Sequence, residues 1–140
     1  MSSNDIKSIL SRSKIIAVVG LSRNPMKDSN RVASYLQSQG YRIIPVNTSA
    51  NNILGENCYS TLLDIPEQLF SSIDIVDIFR PSEDVSNIVD QVIEMKMKLN
   101  KPETIWMQLG IIDDAAKRAR EVGMFVIMNR CIMISHKQMF

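Results

Sequence analysis

The sequence predicts an α/β fold in which a doubly wound, parallel sheet of five strands carries helices on both faces. Five short runs rich in β-branched residues are almost continuously apolar, which is typical of strands buried on both faces of a sheet. Segments with helical spacing separate these runs, and successive strands begin about 20 to 31 positions apart, as expected of βαβ units. The length of 140 residues corresponds to a single domain.

The predicted strands follow one another in parallel and are joined by right-handed crossovers. They occupy Ile15–Val19, Arg42–Val46, Ile73–Phe79, Thr104–Met107 and Phe125–Met128. A polar loop over residues 48–52 follows the second strand, and a short edge strand is expected at Asn57–Tyr59.

The predicted helices are marked by apolar stripes and by their terminal residues. A lead-in helix lies within residues 1–12, and the next helix begins near Asp28 or Ser29 and is closed by Gly40. A longer helix opens at Pro81-Ser82 with two acidic residues in its first turn, which complement the helix dipole. Another helix runs from about residue 113 to residue 123, and residues 130–140 form a C-terminal tail without an assigned structure.

The composition excludes several classes of protein. Apolar residues make up 45% and charged residues 22%, which excludes a disordered chain and a disulfide scaffold. A net charge of +1 argues against a nucleic-acid binder. The charge is uneven, because residues 1–47 carry 7 basic and 2 acidic groups whereas residues 48–94 carry 1 and 9. An anionic ligand could therefore be held by the first third of the chain.

The sequence also indicates where the protein is located. No apolar run is long enough to span a bilayer, so no membrane association is expected. Cys58 and Cys131 lie far apart without zinc-like spacing, which favours two free thiols. We therefore expect a cytoplasmic protein without a bound metal.

The loop after the first strand is the best candidate for a binding site. In parallel sheets of this kind, ligands bind beyond the carboxyl ends of the strands. Gly20 turns the chain there, and the following helix presents its N-terminus, which together make a site for an anion. Arg23, Lys27 and Arg31 concentrate positive charge on the same short segment. A solvated basic loop is the alternative interpretation.

The loop does not carry the motif of a dinucleotide-binding site. Glycines would be required at positions 22 and 25, where the chain has Ser22 and Pro25. The second strand ends at Asn47, which offers no carboxylate to a ribose, and no phosphate-binding GxxxxGK[ST] motif is present. NAD is therefore a weaker candidate ligand.

Six motifs follow one another along about residues 13–136. They are Val18–Ser22 with Asn24-Pro25 and Arg31–Ala33, Tyr41–Asn47, Ile53–Glu56 with Cys58-Tyr59, Leu62–Pro66, Asp74–Arg80 and Ile105–Gly110. In this order they resemble the motifs of the small stand-alone CoA-binding proteins, which are similar to the N-terminal domain of the succinyl-CoA synthetase alpha subunit.

The resemblance implies a Rossmann-like fold with strand order 3-2-1-4-5 and a bound CoA or acyl-CoA. It places the CoA diphosphate over the Gly20–Arg23 loop and the following helix, and Asn47 on the adenosine side. The implied binding residues, together with the basic residues of the first loop, are Gly20, Leu21, Ser22, Arg23, Lys27, Ser29, Arg31, Asn47, Phe79, Arg80, Pro81 and Gln108.

No catalytic residue is predicted. The ligases of this resemblance use a second domain with a phosphorylated histidine, and this chain has a single histidine, His136, which we interpret as a tail residue. Asp74 is expected at the start of a strand, and Asp77 at a sheet edge or as a structural hydrogen-bond acceptor. Cys131 follows the fifth strand near the expected cleft, where packing is favoured over reactivity.

Three kinds of function stay open at this point. A non-catalytic or regulatory CoA-binding protein is favoured. The alternatives are an enzyme or enzyme subunit that uses NAD(P) or an acyl-CoA, and an interaction module with a vestigial nucleotide pocket. Met133, Met139 and Phe140 are candidates for a homodimer contact or for a cover over the thiol end of a ligand.

Overall fold

A parallel five-stranded sheet with helices on both faces forms the centre of the computed structural model, which describes residues 1–140. In chain order the strands are β1 (Ile15–Val19), β2 (Arg42–Val46), β3 (Asn52–Ile53), β4 (Glu56–Asn57), β5 (Ile75–Ile78), β6 (Thr104–Met107) and β7 (Phe125–Ile127). The helices are α1 (Ser3–Arg12), α2 (Asp28–Ser38), α3 (Glu67–Phe70), α4 (Ser82–Leu99), α5 (Ala115–Glu121) and α6 (Ile132–Met139), with a 3₁₀ turn at Leu62–Asp64. The predicted fold class is confirmed.

The order of strands in the sheet is β2-β1-β5-β6-β7, and all four pairings are parallel. Counted over these five strands alone, the order is 2-1-3-4-5. Tyr59 forms one parallel bridge with Val46 on the outer side of β2. When this segment is counted as a third strand, the order becomes 3-2-1-4-5-6, whose first five members match the implied order 3-2-1-4-5. The direction of winding reverses between β1 and β5, so the switch point lies beside the Gly20 loop.

Alternating side chains of the strands divide the core into two layers. Ile16 and Val18 face the layer built by α1, α2 and α6, whereas Ala17 and Val19 face the layer built by α4 and α5. Both layers are apolar, which explains why the strands are continuous apolar runs in the sequence.

Two segments differ from the sequence prediction. The expected edge strand at Asn57–Tyr59 is instead a short antiparallel hairpin of β3 and β4 followed by the single bridge at Tyr59. The expected C-terminal tail contains α6, which packs against α1 and α2 and buries Ile132 and His136. The amphipathic pattern of this segment is too weak to predict a helix. The helix is stabilised by the burial of an apolar side chain on this face.

Asp77 differs most from its prediction. It lies on β5 in the middle of the sheet, between Val18 of β1 and Trp106 of β6, rather than at an edge. Its side chain is completely buried, and neither carboxylate oxygen has a hydrogen-bond partner. Burial raises the pKa of Asp77 well above its ordinary value. Asp77 is therefore not the satisfied structural acceptor that we expected.

Candidate functional site

Gly20 allows the first loop to approach the end of β5 very closely. Its φ of +86° is in the left-handed region, and a Cβ atom at this position would lie 2.7 Å from the carbonyl oxygen of Phe79 and 2.9 Å from Cδ of Arg80. The amide of Gly20 donates to the carbonyl of Val46 at the end of β2. A glycine is therefore required where the ends of β1, β2 and β5 meet.

Three polar side chains hold the loop against the neighbouring elements. Ser29 Oγ accepts a hydrogen bond from the amide of Ser22 at 2.9 Å. The side-chain amide of Asn30 donates to the carbonyl of Ser22 at 2.8 Å, and that of Asn47 donates to the carbonyl of Leu21 at 2.9 Å. Ser29 and Asn30 are buried, so in this structure they shape the loop from beneath.

Several backbone N–H groups of this region have no acceptor in the protein. They belong to Leu21 and Arg23 in the loop and to Asp28, Ser29 and Asn30 in the first turn of α2. Lys27 caps α2 without a side-chain hydrogen bond. Free amides and the positive end of the helix dipole therefore point out of the same segment, which favours an anion there.

The basic residues of the region are exposed and partly paired. Arg23 and Lys27 lie at the surface. Arg31 forms an ion pair with Asp28 in the first turn of α2, and Arg80 donates to Asp84 at 2.8 Å in the first turn of α4. Exposed pairs of this kind contribute little free energy, so an anionic ligand can compete for both arginines.

A polar cleft of about 550 Å³ lies beyond the carboxyl ends of β1 and β2, next to the start of α4. Its lining consists of Val19, Gly20, Ser22, Val46, Asn47, Thr48, Ser49, Ser60, Thr61, Leu62, Arg80, Glu83, Asp84, Asn87, Ile88 and Gln91. Most of these side chains are hydroxyls, amides or charged groups, so the cleft is suited to a hydrogen-bonding ligand.

An apolar cleft of about 520 Å³ lies between the first turn of α2 and α6. It is lined by Asp28, Arg31, Val32, Phe79, Arg80, Pro81, Gln108, Leu109, Ile111, Cys131, Met133 and Ile134. Arg80 lines both clefts, so the two adjoin at the switch point of the sheet.

The wall of the apolar cleft is fixed by hydrogen bonds at the end of β6. Gln108 Oε1 accepts from the amide of Ile132 at 3.0 Å, at the start of α6. Trp106 Nε1 donates to the carbonyl of Arg130 at 2.9 Å, and Asn129 Oδ1 accepts from the amide of Gly110 at 2.7 Å. These bonds explain how a segment that looks like a tail becomes part of a cleft.

The structure distributes the sequence-predicted residues over three places. The polar cleft contains Gly20, Ser22, Asn47 and Arg80, and the apolar cleft contains Arg31, Phe79, Arg80, Pro81 and Gln108. Leu21, Arg23, Lys27 and Ser29 line neither cleft: the side chains of Leu21 and Ser29 are buried, and those of Arg23 and Lys27 are exposed.

Sequence reasoning missed the contributions of α4 and α6. Glu83, Asn87 and Gln91 recur every fourth residue on α4 and line the polar cleft, a polar stripe that helical spacing could have revealed. Ile134 lines the apolar cleft and was not predicted there. Met133, a candidate for a homodimer contact or for a cover over the thiol end of a ligand, also lines this cleft. Nothing in the local pattern marks these two residues, because their position depends on the docking of α6.

Of the titratable candidates, Cys131 lines the apolar cleft, whereas Asp74 and His136 lie outside both clefts. Asp74 accepts from the amides of Lys14 and Ile15 and pairs with Lys101 at 3.0 Å. Partial burial alone would raise the pKa of Asp74, but these hydrogen bonds together lower it. His136 lies on the buried face of α6, with Nδ1 2.7 Å from the hydroxyl of Tyr35. Both residues are therefore structural.

Comparison with known proteins decides the family. The family model described as a CoA binding domain matches residues 14–137. The chain belongs to the CoA-binding domain family. This CoA-binding domain is 38% identical over 133 residues to YneT of Bacillus subtilis, which covers 94% of this chain and 92% of that protein.

Two further relatives extend the comparison. A Thermus thermophilus structure, cell-free ID.343, superposes with a TM-score of 0.88 at 33% identity and full coverage of both chains. An 87-residue stretch is 31% identical to an ADP-forming acetate–CoA ligase of Archaeoglobus fulgidus, which covers 61% of this chain and 12% of the ligase. The CoA-binding domain thus corresponds to a small part of that enzyme.

No helix in the structure combines the length and apolar character that crossing a membrane requires.

Proposed function

We propose that this CoA-binding domain holds CoA or an acyl-CoA across the carboxyl ends of its strands, as a non-catalytic or regulatory binding protein. The observation that carries the proposal is the pair of adjoining clefts of different polarity that share Arg80. CoA has a matching construction, with a nucleotide that carries phosphate groups at one end and a long, less polar pantetheine arm at the other. The nucleotide would occupy the polar cleft and the arm the apolar cleft.

The phosphates would lie between the clefts, at the Gly20–Arg23 loop and the start of α2. The free amides of Leu21 and Arg23 and of the first turn of α2 are donors that an anion can use. Arg31 and Arg80 are within the lining of the clefts and would exchange their exposed partners Asp28 and Asp84 for phosphate oxygens. Asn47 would face the adenosine side.

The titratable side chains of the clefts support binding rather than catalysis. They are Asp28, Arg31, Arg80, Glu83, Asp84 and Cys131. Two of the three carboxylates form ion pairs with arginines, and no histidine lines either cleft. Location in the cytoplasm and a homodimer stay predictions from the sequence.

A thermal-shift experiment with CoA, acetyl-CoA, NAD and NADP tests the proposal. A ligand that binds only the folded state raises the melting temperature according to its concentration and its Kd. We expect CoA and acetyl-CoA to stabilise the protein and the two nicotinamide dinucleotides to have no effect. Stabilisation by NADP alone would favour an oxidoreductase, and no shift with any of the four would favour an interaction module.

Charge reversal tests the phosphate site within that proposal. Arg31→Glu and Arg23→Glu are each expected to weaken CoA binding by roughly 1–3 kcal/mol, the scale of a charge-assisted hydrogen bond. Arg42→Glu is the matched control, because Arg42 is also exposed but lies at the amino end of β2, away from both clefts. Titration calorimetry that shows unchanged affinity in both Arg23→Glu and Arg31→Glu contradicts the phosphate site.

A further inference from the structure

Building on the proposed function, we propose that the apolar cleft is an acyl subsite. It takes the apolar acyl group of an acyl-CoA thioester, and the side-chain amide of Gln108 donates a hydrogen bond to the thioester carbonyl oxygen. The ligand class is then an acyl-CoA with a short hydrocarbon chain rather than free CoA.

The cleft exposes more apolar surface than the thiol end of free CoA could cover. Seven of its twelve residues are hydrophobic. Leu109 and Ile134 at its margin are 61% and 45% exposed, so their apolar surface lies in water when nothing fills the cleft. The thiol end of free CoA offers only a short apolar segment to cover them. A hydrocarbon acyl group would remove this surface from water, which is favourable in proportion to the area covered.

Gln108 supplies the polar contact that fixes a carbonyl group in this apolar environment. It is only 4% exposed, and its Oε1 already accepts from the amide of Ile132. Its Nε2 has no hydrogen-bond acceptor in the protein, although the residue lines the cleft. This nitrogen is not among the fully buried unpaired polar atoms, so it is open to the cleft, where a ligand carbonyl oxygen would accept its hydrogen bond. Pantetheine thioesters present such an oxygen directly beside the acyl chain.

The cleft also has the size and position for the reactive end of the ligand. Its volume of about 520 Å³ is within the usual range for small-molecule sites. One side is the first turn of α2, with Arg31 beside the proposed phosphate site, and the opposite side is α6 with Met133 and Ile134. An arm that starts at the phosphates would therefore reach α6 last. Met133 has a flexible side chain that can adapt to acyl groups of different shape.

Titration calorimetry with CoA, butyryl-CoA and succinyl-CoA tests the apolar part of the subsite. Each buried methylene group is worth about fourfold in Kd, and the acyl chain of butyryl-CoA has two of them in addition to its methyl group. Butyryl-CoA should therefore bind at least about tenfold more tightly than CoA. Succinyl-CoA, whose acyl group ends in a carboxylate, should not gain this advantage. Equal or weaker binding of butyryl-CoA, while CoA itself binds, overturns the acyl subsite and leaves the proposed function intact. Failure of all three ligands to bind overturns the proposed function instead.

Two isoleucine variants locate the effect. Ile134→Ser should reduce the ratio of the Kd values for CoA and butyryl-CoA severalfold. Ile112→Ser is the matched control, because Ile112 is 58% exposed and lines neither cleft, and it should leave the ratio unchanged. Both positions are exposed enough for the variants to fold. An unchanged ratio in Ile134→Ser overturns the proposal.

A change in the ligand tests the role of Gln108 without altering the protein. S-butyl-CoA, a thioether, keeps the hydrocarbon chain but lacks the carbonyl oxygen. It should bind at least fivefold more weakly than butyryl-CoA, and equal affinity of the two overturns the hydrogen bond from Gln108.

A second copy of the chain is the other occupant that the apolar cleft could accept. Light scattering decides between the two occupants. The acyl subsite predicts that Ile134→Ser leaves the oligomeric state of the protein unchanged. A dimer that Ile134→Ser converts into a monomer would show that another protomer covers the cleft, and would overturn the proposal.

Discussion

At the scale of single residues, the site is built mainly from side chains that position the backbone. Ser29 and Asn47 were predicted as ligand contacts, yet each makes a hydrogen bond to the main chain of the Leu21-Ser22 segment. The groups left without partners are the backbone amides of that loop and of the first turn of α2. A sequence identifies side chains, so it could indicate this loop as a candidate site but could not show that Ser29 and Asn47 hold the main chain of the loop in place.

Gly20 gives the sharpest test of this loop. In Gly20→Ala, a Cβ atom would meet the carbonyl of Phe79 and the side chain of Arg80, so both stability and CoA affinity should fall. Gly123→Ala is a matched control, because Gly123 has the same φ of +86° but no atom within 4 Å of the added Cβ.

The two variants separate backbone strain from the close contact. Gly123→Ala should cost only the left-handed conformation, about 1–2 kcal/mol, and should leave CoA binding unchanged. Gly20→Ala should cost more than that in urea unfolding and should also weaken CoA in calorimetry. Equal losses of stability in the two variants, with CoA affinity retained in Gly20→Ala, would contradict the close approach of the loop to β5.

Asp77 makes the stability of the protein depend on pH in an unusual direction. Because burial raises its pKa, the folded state binds more protons than the unfolded chain. The stability that protonated Asp77 contributes is present at low pH and is lost as the pH rises from about 3.9 through the folded pKa. Asp77→Asn should therefore gain stability relative to the natural protein as the pH rises, by at most about 1.4 kcal/mol per pH unit.

Urea unfolding between pH 5 and pH 8 measures this difference. Asp74→Asn serves as the control, because hydrogen bonds lower the pKa of Asp74 and its titration is complete below this range. The stability difference for Asp74→Asn should therefore be constant across the range. A constant difference for Asp77→Asn as well would show that Asp77 is not held protonated in the fold.

At the scale of secondary-structure elements, burial explains which predictions were accurate. β1, β2 and β6 have the predicted bounds, because strands that are buried on both faces are continuous apolar runs. α6 was missed, because its position depends on contacts with α1 and α2 and on the bond from its first amide to Gln108. The hairpin of β3 and β4 has only two residues per strand, too few for an alternating pattern to be recognised.

The docking of α6 should weaken in acid. His136 lies among Tyr35, Tyr41 and Phe140, and burial lowers its pKa. The folded state therefore binds fewer protons than the unfolded chain, so this contribution to stability is present above about pH 6.5 and is lost as the pH falls. Guanidinium unfolding at pH 7.5 and 5.5 should show a smaller loss for His136→Gln than for the natural protein. The same loss in both proteins would exclude His136 as its source.

At the scale of the whole molecule, the structure shows where the unevenly distributed charges of the sequence lie. Of the basic residues of the first third, Arg23, Lys27 and Arg31 lie at the Gly20 loop and the start of α2, whereas the others lie elsewhere. Glu83 and Asp84 of α4 line the polar cleft beside Arg80. The site is therefore of mixed charge, and the free amides add the donors for an anion. The near-neutral total conceals this arrangement, which depends on the packing of α4 against the sheet and cannot be derived from composition.

The most direct test of the account is a nuclear magnetic resonance titration of the ¹⁵N-labelled protein with CoA. A ligand that extends across both clefts should shift the amide signals of the Gly20–Arg31 segment, of Asn47 in the polar cleft and of Gln108 in the apolar cleft. Signals of α5, which lines neither cleft, should stay in place. Shifts confined to one cleft, or no shifts with CoA in large excess, would contradict the claim that CoA binds across both.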